Sequence, residues 1–177
     1  TSAYPTCWTK LGSLTTYPSI STTNFSSPGS LYLNCGSSGY YNYAILPAFD
    51  ASIPINTLQM SYKFRASGTD DTLYVGVMSD ISNMNSFTVV ETYTVPVTAT
   101  FYDILTFFDT YTGTGTNIAF KSTYGASTSA IYIDNLEVSA IPNCLQPTNL
   151  SATNVLSTSI DLSWVENGTA TTWNIEY

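Results

Sequence analysis

Three things that the sequence lacks exclude whole classes of function. The 177-residue chain has no histidine, so it lacks the commonest general base and the usual zinc ligand. It has four lysines and arginines against twelve acidic residues, a net charge of −8, whereas nucleic acids and anionic membranes attract clustered basic residues. No apolar run approaches the roughly 20 residues of a membrane span. We therefore expect neither nucleic-acid binding nor membrane insertion.

Charge of either sign is scarce. Charged residues are 9% of the chain, against about 25% in ordinary globular proteins. In their place stand 14 tyrosines, many serines and threonines, and a hydrophobic fraction of 44%. This composition is typical of strand-rich extracellular proteins, and the chain begins as a mature or excised product would. We expect a secreted or cell-surface protein with acidic, carbonyl-rich loops that suit calcium.

The three cysteines show no metal-binding spacing. Cys7, Cys35 and Cys144 are far apart and form no CxxC pair, so a metal–thiolate site is not expected. Cys7 and Cys144 flank the first domain described below, and their position allows a disulfide that would leave Cys35 unpaired. The alternative is that the thiols stay reduced and buried.

Alternation of apolar and polar residues predicts an all-β fold. Helical periodicity is absent, and short alternating runs are separated by clusters rich in Gly, Ser and Asn. Seven such runs cover residues 30–35, 57–67, 72–78, 87–95, 101–108, 117–123 and 130–138. Seven or more short strands with one apolar face indicate a sandwich of two sheets.

The two prolines of "IPNCLQP" (141–147) mark a boundary. We predict a β-sandwich over residues 1–141, a linker over 142–147, and a second domain that begins within 148–177. The pattern of the second part indicates three strands.

The ordered segments of the first domain carry a family resemblance. "SSPGSLYL" (26–33), "LQMSYKFRAS" (58–67), "LYVGVMSD" (73–80) and "IYIDNLEV" (131–138) follow one another as in a jelly roll. Residues 4–141 resemble the cleaved-adhesin and MAM-like domains of bacterial surface proteins and, more distantly, calcium-containing jelly-roll carbohydrate-binding modules. The resemblance implies a jelly-roll β-sandwich.

The tail resembles the opening strands of a fibronectin type III domain. "SIDLSW" (159–164) and "WNIEY" (173–177) match two of its strands. A complete sandwich of this kind needs about 100 residues, so the domain is incomplete here and would expose Ile160, Leu162, Trp164 and Ile175. The missing strands belong to a longer parent chain or are supplied by another chain through β-augmentation.

The segment "IYIDNLEV" places a carboxylate and an amide inside a strand. In the family that the chain resembles, this acidic residue holds a structural calcium ion, so the resemblance implies ligation by Asp134, with Asn135 and with carbonyls around Gly29 and Ser30. The first 39 residues contain no Asp or Glu, so carbonyls and waters would supply much of the ligation. The alternative is a β-bulge in which Asp134 or Asn135 faces solvent or caps a turn.

Aromatic and cationic side chains offer a candidate ligand site. Lys63 and Arg65, two residues apart, project from one face of their strand, and Tyr74 and Tyr32 have the same outward parity on their strands. "GYYNYA" adds Tyr40, Tyr41 and Tyr43 in or beside a loop. Rings beside hydrogen-bonding groups are what sugar recognition requires. The alternative for Lys63 and Arg65 is that they only keep an exposed strand soluble and protect it from edge pairing. The alternative for the three tyrosines is that they reflect a chain that is rich in tyrosine throughout.

No pair of carboxylates is spaced for glycoside hydrolysis, so we do not expect an enzyme. The sequence predicts a non-catalytic adhesion or glycan-binding module with a structural calcium ion. Its expected partner is a polysaccharide or a surface glycoprotein of a host or neighbouring cell. The alternative is a spacer or assembly subunit of a multidomain surface protein, which self-assembles through the C-terminal partial domain.

Overall fold

The chain forms two compact units. The computed structural model describes residues 3–67, 71–94, 100–124, 129–142, 146–168 and 170–176. One unit comprises Thr1–Ser139 and the other Ala140–Tyr177. Among these described residues, no helix has the length and apolar character needed to span a bilayer.

The first unit is a sandwich of two five-stranded antiparallel sheets. Sheet A has the order β1 (Thr9–Gly12), β4 (Tyr41–Ile45), β9 (Asn117–Thr123), β6 (Thr72–Met78) and β7 (Phe87–Thr94). Sheet B has the order β2 (Ser19–Ser21), β3 (Ser30–Cys35), β10 (Ser129–Ala140), β5 (Leu58–Ala66) and β8 (Tyr102–Phe107). Short 3-10 turns at Ile55–Thr57 and Met84–Ser86 precede β5 and β7. The predicted all-β sandwich is confirmed.

Alternating side chains from both sheets build the core. On β5 the residues Leu58, Met60, Tyr62 and Phe64 point inward and are buried, while the residues that alternate with them are partly or fully exposed. Strands of the opposite sheet bury their own inward residues against them, since each strand has one apolar face. Fully buried members of this core include Leu33, Met60, Phe64, Leu73, Val75, Val77, Phe108, Ile118, Phe120 and Ile131.

Each of the seven alternating runs forms a strand, but three further strands were not predicted. The short strands β1 and β2 have no clear alternation. The strand β4 lies in the "GYYNYA" segment that we expected in or beside a loop. Its Tyr41 pairs with Thr123 and its Ile45 with Ala119 across the sheet. The Gly and Ser residues just before β4 obscured a strand whose partners lie 74 to 82 positions later on β9 and 30 to 36 positions earlier on β1.

The second unit contains a two-stranded sheet. Strand β11 (Thr148–Thr153) pairs antiparallel with β12 (Asp161–Val165). The third strand predicted over 173–177 is not formed in the described residues 170–176. Instead, Trp173 packs edge-on against Trp164 at 5.3 Å and its indole Nε1 donates a hydrogen bond to Glu166 Oε2 at 2.9 Å. The assignment to a fibronectin type III domain stays a prediction.

Two of the three cysteines lie in the described residues. Cys35 is fully buried in sheet B, where Asn42 Nδ2 donates to its sulfur at 3.0 Å. Burial raises the pKa of the Cys35 thiol, so it stays protonated and unreactive. Cys7 is exposed and forms no disulfide with another cysteine of the described residues. Its predicted partner Cys144 lies outside the described residues, so the disulfide stays a prediction.

Candidate functional site

The outer surface of sheet B carries the largest group of aromatic and charged side chains that contact one another in the described residues. Strand β5 turns Leu58, Met60 and Phe64 into the core, so Lys63 and Arg65 face outward, as predicted. Their neighbours come from strands and loops distant in sequence. We call this surface the sheet-B face; it comprises Tyr17, Phe25, Tyr32, Lys63, Arg65, Phe101, Asp103 and Tyr132.

Three tyrosines begin a row across the strands. Tyr32 of β3 and Tyr132 of β10 are directly opposite in the register. Their rings stack with centroids 4.9 Å apart and an interplanar angle of 23°. Tyr17, two residues before β2, meets Tyr32 edge-on at 5.5 Å. Burial, reinforced by the neighbouring tyrosines, raises the pKa of Tyr32, so its hydroxyl stays protonated and able to donate a hydrogen bond.

Arg65 extends this row onto the next strand. Its guanidinium carbon lies 5.1 Å from the centroid of the Tyr132 ring and 6.0 Å from that of Phe101. The hydrogen bond from Ser67 N–H to the Ala130 carbonyl at 3.0 Å aligns β5 with β10. The row therefore crosses β3, β10, β5 and the start of β8. We call these five residues the aromatic row: Tyr17, Tyr32, Tyr132, Arg65 and Phe101.

A second group of side chains lies beside the row. The ring of Phe25 is 52% exposed and meets Phe101 edge-on at 6.0 Å. The ammonium of Lys63 lies 4.3 Å from the Phe25 centroid and 2.6 Å from a carboxylate oxygen of Asp103. Because the Asp103 side chain is 84% exposed, this ion pair adds little to stability. Lys63 and Asp103 also line a groove of about 410 Å³ together with Asn135.

The predicted tyrosines lie on the other sheet. Tyr74 is on β6 of sheet A, where its ring is 5.2 Å from the ammonium of Lys121. Tyr43 is 1% exposed beneath the ring of Phe87 at 5.2 Å, so it cannot contact a ligand directly. Tyr40 and Tyr41 line a separate groove of about 200 Å³ with Lys121. The structure does not bring these four tyrosines together with Lys63 and Arg65, because parity within a strand does not say which sheet the strand joins.

Asp134 is buried, with 8% of its surface exposed, and accepts four hydrogen bonds. Its Oδ2 accepts from the backbone N–H of Phe25 at 2.8 Å and of Ser26 at 3.0 Å. Its Oδ1 accepts from the Ser26 hydroxyl at 3.2 Å and from the backbone N–H of Asn135 at 2.8 Å. The partner of this carboxylate is therefore the backbone of a loop more than 100 residues earlier in the chain.

An irregularity in β10 turns Asp134 toward that loop. Ile131 and Ile133 pack into the core before it, and Leu136 and Val138 pack against the core after it. The inward parity thus changes from odd to even at Asp134 and Asn135, as in a β-bulge. Asn135 has a φ of 49°, a conformation that asparagine tolerates better than most residues. The change of parity and the φ of Asn135 favour the bulge alternative, in which Asp134 is buried and Asn135 is exposed.

The donors around Asp134 do not fit the predicted calcium ligand. A cation needs oxygen lone pairs that face it, whereas N–H and O–H groups occupy both oxygens of this carboxylate. Ser30 donates its hydroxyl to the Thr23 carbonyl at 2.6 Å, and Gly29 packs so closely that an added Cβ would lie 2.8 Å from the Ser21 carbonyl oxygen. No group of three or more Cys, Asp or Glu side chains suited to a metal occurs in the described residues. Calcium binding near Gly29, Ser30, Asp134 and Asn135 stays a prediction.

Several residues of the sheet-B face were not among the predicted site residues. Tyr132 alternates with the inward residues Ile131 and Ile133, so the sequence alone could have identified it as an outward-facing residue. Phe25 and Tyr17 lie outside the strands and outside every alternating run, whereas Phe101 begins the run predicted over 101–108 and directly precedes β8. Only the pairing of β3, β10, β5 and β8 places these rings beside Arg65.

The fold has known counterparts. The K1 cleaved adhesin domain of Lys-gingipain from Porphyromonas gingivalis is 16% identical with a TM-score of 0.57, covering 79% of this chain and 94% of that one. The K2 domain of Lys-gingipain is 13% identical with a TM-score of 0.58, covering 76% and 91%. The K3 domain, also from Porphyromonas gingivalis, is 10% identical with a TM-score of 0.55, covering 77% and 93%.

No family model and no curated protein matches the chain. Identities of this size establish a shared fold and leave the ligand to be argued from the site itself. The resemblance predicted from the ordered segments is confirmed at the level of the fold. The chain contains a jelly-roll β-sandwich similar to the cleaved adhesin domains of Lys-gingipain.

Proposed function

We propose that the first unit is a non-catalytic glycan-binding module whose ligand lies across the sheet-B face. The observation that carries this proposal is the aromatic row, which crosses four neighbouring strands and includes one guanidinium. Rings offer flat apolar surface for the CH faces of sugars, and polar groups beside them select hydroxyl positions. The structures that share the fold are named as adhesin domains, and we extend that class of role to this chain as part of the proposal.

The spacing of the row suggests an extended ligand. Neighbouring strands are about 4.8 Å apart, so a row over four strands spans about 14 Å, which is longer than one sugar ring. Lys63 and Asp103 lie beside the row and offer a donor and an acceptor. We therefore expect oligosaccharides or polysaccharides to bind more tightly than monosaccharides. A polysaccharide or a surface glycoprotein outside the cell is the partner that fits this arrangement.

Affinity gel electrophoresis tests the proposal. The chain is run through gels that contain xylan, β-glucan, galactan or galactomannan, and we expect retardation by at least one of them. Substitution Tyr132→Ala removes a central ring and is expected to abolish the retardation. Tyr74→Ala removes a ring on the opposite sheet and is expected to leave it unchanged. Retardation by none of the polysaccharides would contradict glycan binding, and loss with Tyr74→Ala alone would move the site to sheet A.

A second candidate function, assembly, rests on the second unit. Leu150 is 73% exposed, and Val155 and Leu156 are also largely exposed, which is costly for apolar side chains in water. A second copy of the chain that pairs with β11 or β12 would cover such residues. Sedimentation equilibrium over a range of concentrations tests this: self-association is expected if assembly is the function, and a monomer at all concentrations would contradict it.

A further inference from the structure

Phe25 reaches the sheet-B face from a loop rather than from a strand. It belongs to residues 22–29, which connect β2 and β3 without regular secondary structure. Its exposed ring stands over Lys63 and against Phe101. A loop of this kind has many conformations unless contacts select one. The position of the ring therefore depends on what holds the backbone beneath it.

The Asp134 carboxylate is that contact. It accepts hydrogen bonds from the N–H groups of Phe25 and Ser26 and from the Ser26 hydroxyl. The Ser26 hydroxyl also contacts the side-chain oxygen of Asn135. Within the described residues, the other hydrogen bonds of residues 22–29 join partners at most seven positions apart, such as Thr23 N–H to the Ser21 hydroxyl at 3.0 Å. Hydrogen bonds to a charged acceptor are about twice as strong as neutral ones.

The end of the pairing between β3 and β10 explains why a carboxylate, that of Asp134, lies beside the loop. The ladder between β10 and β3 ends at the pair Ile133 and Leu31, and the loop then leaves the strand. The bulge at Asp134 and Asn135 turns the carboxylate toward the loop at this point. It accepts two backbone N–H groups that the ladder no longer pairs, which offsets the cost of burying both the amides and the charge.

We propose that Asp134 is a positioning residue of the ligand-binding face, which holds the Phe25 ring in place for a glycan. The binding part of this inference rests on the proposed function, whereas the anchoring part does not. Asp134 makes no contact with the ligand in this scheme. It acts through the loop backbone, and the same hydrogen bonds replace the calcium ligation that the family resemblance implies for this position.

Amide hydrogen exchange tests the anchoring without any ligand. Asp134→Ala is expected to speed exchange at the Phe25 and Ser26 amides by about tenfold or more, since a hydrogen bond to a charged group is lost. Glu137→Ala removes an exposed carboxylate from the same strand and is the matched control, with no change expected at these amides. Asp134→Asn keeps one carbonyl oxygen and is expected to restore part of the protection. Unchanged exchange in folded Asp134→Ala would overturn the proposal.

The second test asks whether Asp134 affects ligand binding through Phe25. It measures the affinity for the polysaccharide that slows the chain in the affinity gels. Phe25→Ala and Asp134→Ala are each expected to weaken binding by about tenfold, as for a well-packed contact residue. The double variant is expected to bind no more weakly than Phe25→Ala alone, because Asp134 has nothing left to position. Additive losses would show that Asp134 acts elsewhere. If no polysaccharide binds the unmodified chain, the proposed function fails while the exchange data still decide the anchoring.

A metal comparison separates this role from calcium ligation. The exchange measurement is repeated with calcium and with a chelator. We expect the same rates at Phe25 and Ser26 in both, because amides and not a cation surround the carboxylate. Slower exchange with calcium in the unmodified chain, absent in Asp134→Ala, would make Asp134 a metal ligand and overturn the proposal.

Discussion

At the scale of single residues, the sheet-B face places both of its cations over aromatic rings. Arg65 lies over Tyr132 and Phe101, and Lys63 lies over Phe25 in addition to its ion pair. A guanidinium stacks flat on an aromatic ring and keeps its N–H groups at the rim, where they can reach a ligand.

Arg65→Lys is expected to weaken glycan binding by about two- to fivefold, which corresponds to the ~0.5–1 kcal/mol of an exposed cation–π contact. The change retains the positive charge but removes the planar group that stacks on Tyr132. Isothermal titration with the retarding polysaccharide measures the effect. Lys10→Arg, on β1 of the opposite sheet, serves as the control. Unaltered affinity after Arg65→Lys would mean that charge alone matters at this position.

At the scale of elements, the pairing of β6 with β7 depends on one glycine. The register shifts between Val75 and Gly76, because Val75 faces Glu91 whereas Gly76 faces Val89. At this bulge the two backbones approach so closely that a Cβ on Gly76 would lie 2.1 Å from the Thr88 carbonyl oxygen. Glycine inside a strand usually weakens it, and close backbone approach is a common reason for its presence.

Gly76→Ala is expected to lower the free energy of unfolding by about 1–3 kcal/mol, the usual cost of overpacking. The added methyl group has to displace both the Thr88 backbone and the ring of Phe87. Urea denaturation followed by circular dichroism measures the loss. Gly36→Ala is the matched control, since its Cβ would meet only a side-chain oxygen at 3.8 Å. Equal stability of the two variants would contradict the tight approach at Gly76.

At the scale of the whole molecule, the sandwich core and its edges bury several tyrosines. Burial raises the pKa of Tyr62 strongly and also raises the pKa of Tyr4, Tyr43 and Tyr93. The folded state therefore holds these hydroxyls neutral at a pH at which the unfolded chain, with ordinary tyrosine pKa values near 10, loses its protons. The contribution of these tyrosines to the free energy of unfolding is fully present below about pH 10. It is lost as the pH rises from there through their raised pKa values in the folded state.

The melting temperature is expected to be nearly constant from pH 7 to 9 and to fall above about pH 10. A single buried tyrosine that stays neutral, such as Tyr62, contributes a slope of up to about 1.4 kcal/mol per pH unit. Tyr62→Phe removes one such group and is expected to make the decline shallower. Thermal melts of both proteins between pH 7 and 11 provide the comparison, and identical alkaline slopes would contradict the role of Tyr62.

The candidate site could be predicted only in part from the sequence. Lys63 and Arg65 were found because alternation along β5 sets their direction, and direction is a local property of a strand. Tyr74 has the same parity on its own strand, yet β6 belongs to the opposite sheet. Phe25 and Asp134 are 109 positions apart, and no local rule relates them.

Composition and alternation by themselves determined the fold class, the seven main strands and the inward residues of the core. Successive side chains of a strand point to opposite faces, so burial of one face produces an apolar residue at every second position. The low charge and the lack of histidine led only to expectations about function, namely that the chain neither binds nucleic acid nor uses histidine as a general base. Tertiary structure alone decided which strands are neighbours, which rings form the aromatic row and what Asp134 binds. Strand order depends on contacts between distant segments, and a period of two residues carries no information about them.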